Sequence, residues 1–120
     1  MIIKYDKVPI STQHVYGYIA YGKHKLSKYM TQKAKQFKKD FLASIKKQLP
    51  KNFSPLKGEL TVNYELTFPD KRHRDIDNYC KIVFDSMNKV VYDDDSQITK
   101  LTIVKKYKKG CEGIKLIIKN

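Results

Sequence analysis

The sequence predicts an α+β domain in which a mixed β-sheet carries two main helices on one face. Three observations lead to this prediction. Strand-like runs occur in groups, two segments with helical periodicity lie between them, and 120 residues suit one domain spanning residues 1–120. Hydrophobic residues make up 41% of the chain, which argues against a disordered protein.

The N-terminal half contains two short strands and a long helix. The runs 1–8 and 15–21 are β-like and flank a turn at residues 9–11. From Ser27 to Leu49 apolar residues recur at helical spacing, which predicts a helix with Ser27 as its N-cap and Pro50 as its stop signal. The apolar stripe comprises Met30, Ala34, Phe37, Phe41, Ile45 and Leu49.

The C-terminal half begins with the clearest strand of the chain. Apolar and polar residues alternate strictly over 60–68, which predicts a strand with one buried face. A basic loop (71–74) follows, and then a helix is expected over 75–90. On that helix Asp77, Lys81 and Asp85 share one polar face. The last two runs, 98–107 and 113–119, suggest a closing hairpin.

The charge distribution indicates a class of function. The formal net charge is +13, from 25 basic and 12 acidic residues. A surface of this charge attracts polyanions such as nucleic acid. Half of the acids nevertheless lie in one stretch, namely Asp75, Asp77, Asp85, Asp93, Asp94 and Asp95. These carboxylates would repel a phosphate backbone unless a hard divalent cation lay between them. The pattern therefore favours a metal-dependent enzyme that acts on nucleic acid.

The first helix and its approach carry lysines with almost no matching acid. The candidate DNA contacts there are Lys23, Lys25, Lys28, Lys35 and Lys38. A lysine face is often only solvated surface, but like charges at i,i+4 spacing destabilise a helix, so the missing acids favour nucleic-acid contact. The nearby Tyr16, Tyr18 and Tyr21 either stack on bases or are ordinary strand residues, and the strand preference of tyrosine favours the second reading.

A non-catalytic interpretation remains open at this point. Asp75 can cap a helix, Asp77 can favour its positive end, and the residues 93–95 can form a solvated turn. Lys81 can be a surface ion-pair partner of Asp77 and Asp85. The protein would then be a basic DNA-binding accessory protein. The two acidic groups meet only if the chain folds back along the intervening helix.

The stretch from Pro69 to Ile98, PDKRHRDIDNYCKIVFDSMNKVVYDDDSQI, closely resembles the core motif of the RusA family of Holliday junction resolvases. The shared pattern is a basic loop, Asp-x-Asp-Asn, a lysine four residues after the second Asp, a further Asp on the same helix and an Asp-Asp-x-Gln turn. The early Pro-x-Ser-x-Gln-x-x-Tyr element, residues 9–16, resembles a family element that has Asn where this chain has Gln13.

The resemblance implies a Mg²⁺-dependent endonuclease, with Mn²⁺ as a substitute, that works as a homodimer and resolves four-way DNA junctions by paired symmetric nicks. It implies no organic cofactor. By the same resemblance the metal ligands are Asp75, Asp77 and Asp95, with Asp94 as the alternative to Asp95, and the catalytic lysine is Lys81. Asp85 and Asn78 are supporting residues, and Lys71, Arg72 and Arg74 contact DNA. A metal nuclease for other branched DNA is the alternative among enzymes.

The remaining features predict an intracellular protein. Cys80 and Cys111 form no CxxC motif and no zinc-ligand spacing, and we expect both to be reduced and non-catalytic. No apolar run is long enough to span a bilayer, and the N-terminus lacks the features of a signal peptide. We therefore expect a cytoplasmic location and no membrane partner.

Overall fold

The computed structural model describes residues 1–20, 22–23 and 26–120. The strands are β1 (Ile2–Tyr5), β2 (Tyr16–Ala20), β3 (Leu26–Met30), β4 (Leu60–Phe68), β5 (Ile98–Tyr107) and β6 (Gly113–Lys119), and the helices are α1 (Gln32–Gln48) and α2 (Lys81–Met87). Three 3₁₀ turns occupy Thr12–His14, Ile76–Tyr79 and Asp95–Gln97. The sheet order is β1-β6-β4-β5, and β2 and β3 form a separate hairpin. This mixed sheet with two helices confirms the predicted α+β class.

Strand β4 is the centre of the sheet and has the predicted bounds. Its alternate residues Leu60, Val62, Tyr64, Leu66 and Phe68 are all buried. Both helices pack against the face of the sheet that these residues share. The rings of Tyr64 on β4 and Phe84 on α2 lie 5.4 Å apart, and Tyr5 on β1 packs against Phe37 of α1 at 5.8 Å. The strict alternation in the sequence thus reports a sheet that is covered on one side.

The predicted closing hairpin of β5 and β6 is wrong. Strand β5 pairs with β4 in parallel, and β6 pairs with the opposite edge of β4 in antiparallel orientation. The connection between β5 and β6 crosses the end of β4, where Lys108 N donates to Phe68 O at 3.0 Å. Gly110 supplies the left-handed φ of 73° that this crossing uses. Burial explains the order, because β6 buries alternate residues whereas most of β5 is exposed at the sheet edge.

Helix α1 begins later than the sequence suggested. Ser27 is not its N-cap, because residues 26–30 form β3 and pair with β2. The N-cap is Thr31, whose Oγ1 accepts a hydrogen bond from Ala34 N at 3.3 Å. The predicted strand over 15–21 is β2, which ends at Ala20; Tyr21 lies outside the described residues. The first strand is also shorter than predicted and ends at Tyr5.

The predicted helix over 75–90 is interrupted. The residues Ile76–Tyr79 form a 3₁₀ turn, and the α-helix proper is only the seven residues of α2. The chain leaves α2 through Lys89, which has a left-handed φ of 67°. A short helix followed by a sharp reversal brings the acidic turn back beside α2.

No helix in the described parts of the chain has the length and hydrophobicity needed to cross a bilayer.

The corrected helix start gives a stability prediction. We expect Thr31→Ala to lower the free energy of unfolding by about 1 kcal/mol, because it removes an N-cap. Thr31→Ser should restore most of that loss. The matched control is Ser27→Ala, which should change stability by less than about 0.5 kcal/mol, as an exposed surface substitution does. Urea unfolding followed by circular dichroism measures all three. Equal losses for Ser27→Ala and Thr31→Ala would contradict the assigned cap.

Candidate active site

The three adjacent acids after α2 lie in three different environments. Asp93 Oδ2 pairs with Lys57 Nζ at 2.6 Å. Asp94 caps the following 3₁₀ turn: its Oδ2 accepts from Ser96 N at 3.0 Å, and Gln97 Oε1 accepts from Asp94 N at 2.9 Å. The hydrogen bonds from Ser96 hold the pKa of Asp94 below its usual range. Two of the three carboxylates therefore have structural partners in an ion pair and a cap, which leaves Asp95 without either role among the described residues.

Asp95 faces Asp85 of α2. Partial burial and the hydrogen bond with Asp85 raise the pKa of Asp95 above its ordinary value, with the Asp85 charge adding to the effect. Lys81 Nζ lies 3.2 Å from Asp85 Oδ2. The hydrogen bond with Asp85 and its charge raise the pKa of Lys81, so the ammonium stays charged at neutral pH. The structure thus brings Lys81, Asp85 and Asp95 into one cluster.

Buried contacts hold the acidic turn against α2. The buried Tyr92 donates its hydroxyl to Phe84 O at 2.7 Å. Gln97 Nε2 donates to Leu56 O at 2.9 Å and to Gly58 O at 3.0 Å. These bonds join the turn to α2 on one side and to the segment before β4 on the other. The position of Asp95 is therefore set by the core.

Asp75 and Asp77 stand before α2 rather than after it. Asp75 occupies the N-cap position of the Ile76–Tyr79 turn, but its side chain makes no capping hydrogen bond. The imidazole of His73 lies nearby, with Nε2 3.5 Å from Asp75 Oδ1. Both carboxylates are exposed. Capping therefore does not account for Asp75. Its carboxylate lines a cavity of about 350 Å³ together with Asn78.

The predicted metal ligands Asp75, Asp77 and Asp95 do not converge in the single chain. Among the described residues, no three acidic, histidine or cysteine side chains lie close enough together to hold a metal ion. The topology gives the reason. Because β4 and β5 are parallel, Asp75 follows the carboxyl end of β4 whereas Asp95 precedes the amino end of β5. The donor chemistry still suits a hard cation, because a divalent ion would relieve the repulsion between Asp85 and Asp95.

The basic loop after β4 combines internal and exposed cations. Arg74 Nη1 pairs with Asp70 Oδ1 at 2.8 Å, its guanidinium carbon lies 4.4 Å from the ring centre of Phe68, and its side chain is only 14% exposed. The hydrogen bond from Arg74 holds the pKa of Asp70 below its usual range. Lys71 and Arg72 are exposed. The proposed DNA contact of Arg74 therefore competes with a role in shaping the loop before Asp75.

The candidate lysines around α1 lie mostly on the surface. Lys23, Lys28 and Lys35 are exposed and Lys38 is half-buried, whereas Lys25 lies outside the described residues. Lys28 does more than face solvent, because its Nζ lies 3.9 Å from the ring centre of Tyr16. This hairpin lysine thereby comes near Lys81, and both line one cavity.

The 3₁₀ turn at Thr12–His14 lies within the early element over residues 9–16, for which the sequence indicated a resemblance but no role. Thr12 Oγ1 donates to Asn78 O at 2.9 Å, which attaches the turn to the segment that carries Asp75 and Asp77. Gln13 lines two cavities, one that contains Asp75 and one that contains Lys81. No local pattern could reveal these contacts, because they join residues more than sixty positions apart.

The two cysteines differ in their exposure to solvent. Both are free thiols; Cys80 is half-buried and Cys111 is exposed. Burial raises the pKa of the Cys80 thiol to about 11, so it stays protonated at neutral pH.

Two similarities to known proteins indicate the family of this chain. A family model described as Endodeoxyribonuclease RusA matches residues 10–119. A relative named crossover junction endodeoxyribonuclease RusA, from Aquifex aeolicus (strain VF5), is 42% identical over 57 residues, which cover 47% of this chain and 45% of the relative. The match thus spans less than half of that relative. Because the family model covers most of the sequence, the chain belongs to the RusA family.

Proposed function

We propose that this protein is a Mg²⁺-dependent endonuclease that resolves four-way DNA junctions by paired symmetric nicks. The observation that carries the proposal is the cluster of Lys81, Asp85 and Asp95, which lies within a strongly basic chain of the RusA family. The Aquifex relative is named a crossover junction endodeoxyribonuclease, and that activity is extended to this chain as part of the proposal. The proposal includes a cytoplasmic location for the protein.

The residues divide the work of phosphodiester cleavage. Asp75, Asp77 and Asp95 would hold Mg²⁺, which would supply an activated water and neutralise charge on the phosphoryl oxygens. Lys81 would place a positive charge beside the same phosphate as negative charge develops. Asp85 orients Lys81 through their 3.2 Å contact and stabilises its charged form, which raises the pKa of Lys81. Lys71 and Arg72 would contact the DNA backbone, as would the exposed lysines of the hairpin and α1.

Assembly of the homodimer and binding of DNA would complete the metal site. The two groups of ligands lie on either side of α2 in the sequence, and no three of them form a metal-binding group in the described parts of one chain. A second copy, or a phosphate oxygen of the bound DNA, can provide the ligands that one chain does not gather. A two-fold dimer also suits the substrate, because a junction must be nicked symmetrically to give two ligatable duplexes.

The lack of three converging metal ligands among the described residues supports a rival function. A chain that does not gather three ligands can be a non-catalytic DNA-binding protein. Asp94 as a cap and Asp93 as an ion-pair partner agree with that view. The rival predicts that divalent salt only weakens binding, because cations compete for the phosphate backbone.

The deciding experiment uses a labelled synthetic four-way junction, with a linear duplex and a flap as comparison substrates. We expect paired symmetric nicks on the junction in Mg²⁺ and none in EDTA. Cleavage of flaps in preference to junctions would replace the resolvase with a nuclease for other branched DNA. Tight junction binding without cleavage in Mg²⁺ or Mn²⁺ would establish the binding protein instead.

Adjacent acids give a matched pair of variants. We expect Asp95→Asn to lower the cleavage rate about 100-fold or more, because it removes charge from the catalytic cluster. Asp94→Asn should retain most of the activity, since Asn is as good an N-cap as Asp. Single-turnover cleavage of the junction measures both. The reverse order, with Asp94→Asn the more damaging change, would move the ligand to the other acid.

Two ion-paired lysines give a second test. We expect Lys81→Met to bind junctions normally but to cut them about 100-fold more slowly, because the charge beside the phosphate is lost. Lys57→Met is the control, since Lys57 forms a similar exposed pair with Asp93 outside the cluster. It should cut at nearly the normal rate. Wild-type turnover by Lys81→Met would leave Lys81 with only its surface ion pair, worth a few tenths of a kcal/mol.

A further inference from the structure

A small basic cavity lies between the Thr12–His14 turn, the β2–β3 hairpin and the start of α2. Its volume is about 300 Å³, and its lining residues are Thr12, Gln13, Tyr16, Tyr18, Lys28 and Lys81. None of these lining residues is acidic, and two are lysines. The cavity therefore favours an anionic ligand with room for one flat group, at the lower end of the usual range of ligand sites.

Hydrogen bonds fix the position of this cavity relative to α2. Thr12 Oγ1 bonds to Asn78 O just before α2, and Thr31 Oγ1 donates to His14 O at 2.8 Å. Val15, between the turn and β2, is buried in the core. The wall that carries the tyrosines is thus attached both to the Asp75–Tyr79 segment and to the start of α1.

The hairpin presents one tyrosine ring to the solvent on the cavity side. Tyr16 and Tyr18 lie on the same face of β2, and Lys28 of β3 lies opposite Tyr18 in the register. The ammonium of Lys28 sits over the Tyr16 ring, whereas Tyr18 is 62% exposed. Gly17 faces the other side, where the Tyr29 ring occupies the space that a side chain would need. One ring of the pair is engaged by a cation, and the other remains available for stacking.

We propose that this cavity binds one nucleotide that leaves its base pair at the branch point, next to the phosphate that is cut. The inference rests on the proposed function, because it places the DNA backbone at Lys81. The base stacks on Tyr18 and the nucleotide's phosphate contacts Lys28. Aromatic rings beside lysines are the usual means of binding single-stranded nucleic acid. A paired base inside a duplex cannot enter such a cavity, but a base at the branch point can leave the stack at lower cost.

Gln13 gives the site a means of discriminating between bases. Its side-chain amide carries both donors and an acceptor, so it can bond to the edge of a stacked base. Gln13 also lines the cavity of Asp75, so a base held here lies between the two groups of catalytic residues. The identity of the base that enters the cavity would then select the position of the cut.

The test is a double-mutant cycle between protein and DNA. Junctions carry single abasic sites, one at a time, across the branch point, and their affinity is measured by fluorescence anisotropy in EDTA. We expect one abasic position to weaken wild-type binding about tenfold, as the loss of one stacked base does. Tyr18→Leu should bind the intact junction about tenfold more weakly and show no further loss at that position. Tyr18→Phe should behave like the wild type.

The control is Tyr29→Leu, which changes an exposed ring on the opposite face of the hairpin. It should retain the full abasic effect. Tyr18→Thr repeats the cycle with a side chain that favours strands, so a folding defect in the leucine variant does not decide the outcome. If the abasic loss is the same in wild type and Tyr18→Leu, or falls only with Tyr29→Leu, the cavity does not hold a base.

Cleavage of the intact junction in Mg²⁺ is scored separately. Cleavage with additive binding losses would overturn the nucleotide site and leave the proposed function standing. Coupling at Tyr18 without cleavage would support the site and overturn the nuclease. Failure of the wild type to prefer the junction over linear duplex would overturn both.

Discussion

The packing of one tyrosine between β4 and the segment before α2 sets the geometry of the whole site. Tyr64 is fully buried, its hydroxyl donates to Tyr79 O at 2.7 Å, and its ring packs edge-on against Phe84. Burial raises the pKa of Tyr64 well above its usual range, so the hydroxyl keeps its proton and remains a donor. This contact joins the 3₁₀ turn that carries Asp77 to the helix that carries Lys81. An unpaired buried hydroxyl would cost free energy, which keeps the junction between turn and helix in register.

The topology around β4 explains both what the chain assembles and what it leaves apart. The path from β4 through α2 to β5 is a parallel crossover, which requires the chain to travel back along the sheet. The acids at the start of this crossover therefore lie toward the opposite end of the strands from the acids at its end. Asp85 of α2 and Asp95 of the returning turn come together. Asp75 lines the cavity beside Gln13 and Asn78, Asp77 is exposed nearby, and the proposed catalysis requires the two groups to reach one phosphate.

Sequence patterns predicted the elements whose burial is local and periodic. Strand β4 has the bounds that its alternation predicted, as do β5 and β6. The strand with which β5 and β6 each pair was not predictable. A short loop looks the same whether it closes a hairpin or crosses the end of a strand. Ser27 and Thr31 are both plausible caps by type, and the pairing of β3 with β2 decided between them. In the acidic turn, three identical side chains became distinct only through Lys57, Ser96 and Asp85, which are set by the fold.

The proposed mechanism requires Asp77 and Asp95 to bind the same cation, although no three possible metal ligands come together among the described residues of one chain. Binding of Mn²⁺, followed by electron paramagnetic resonance of the free ion, tests this directly on the wild type, Asp77→Asn and Asp95→Asn in the presence of junction DNA. We expect each variant to bind Mn²⁺ at least about tenfold more weakly and the double variant to be little worse than either single one, as for ligands of one site. Wild-type Mn²⁺ affinity in either single variant, or losses of affinity that add in the double variant, would show that the two carboxylates do not share a cation.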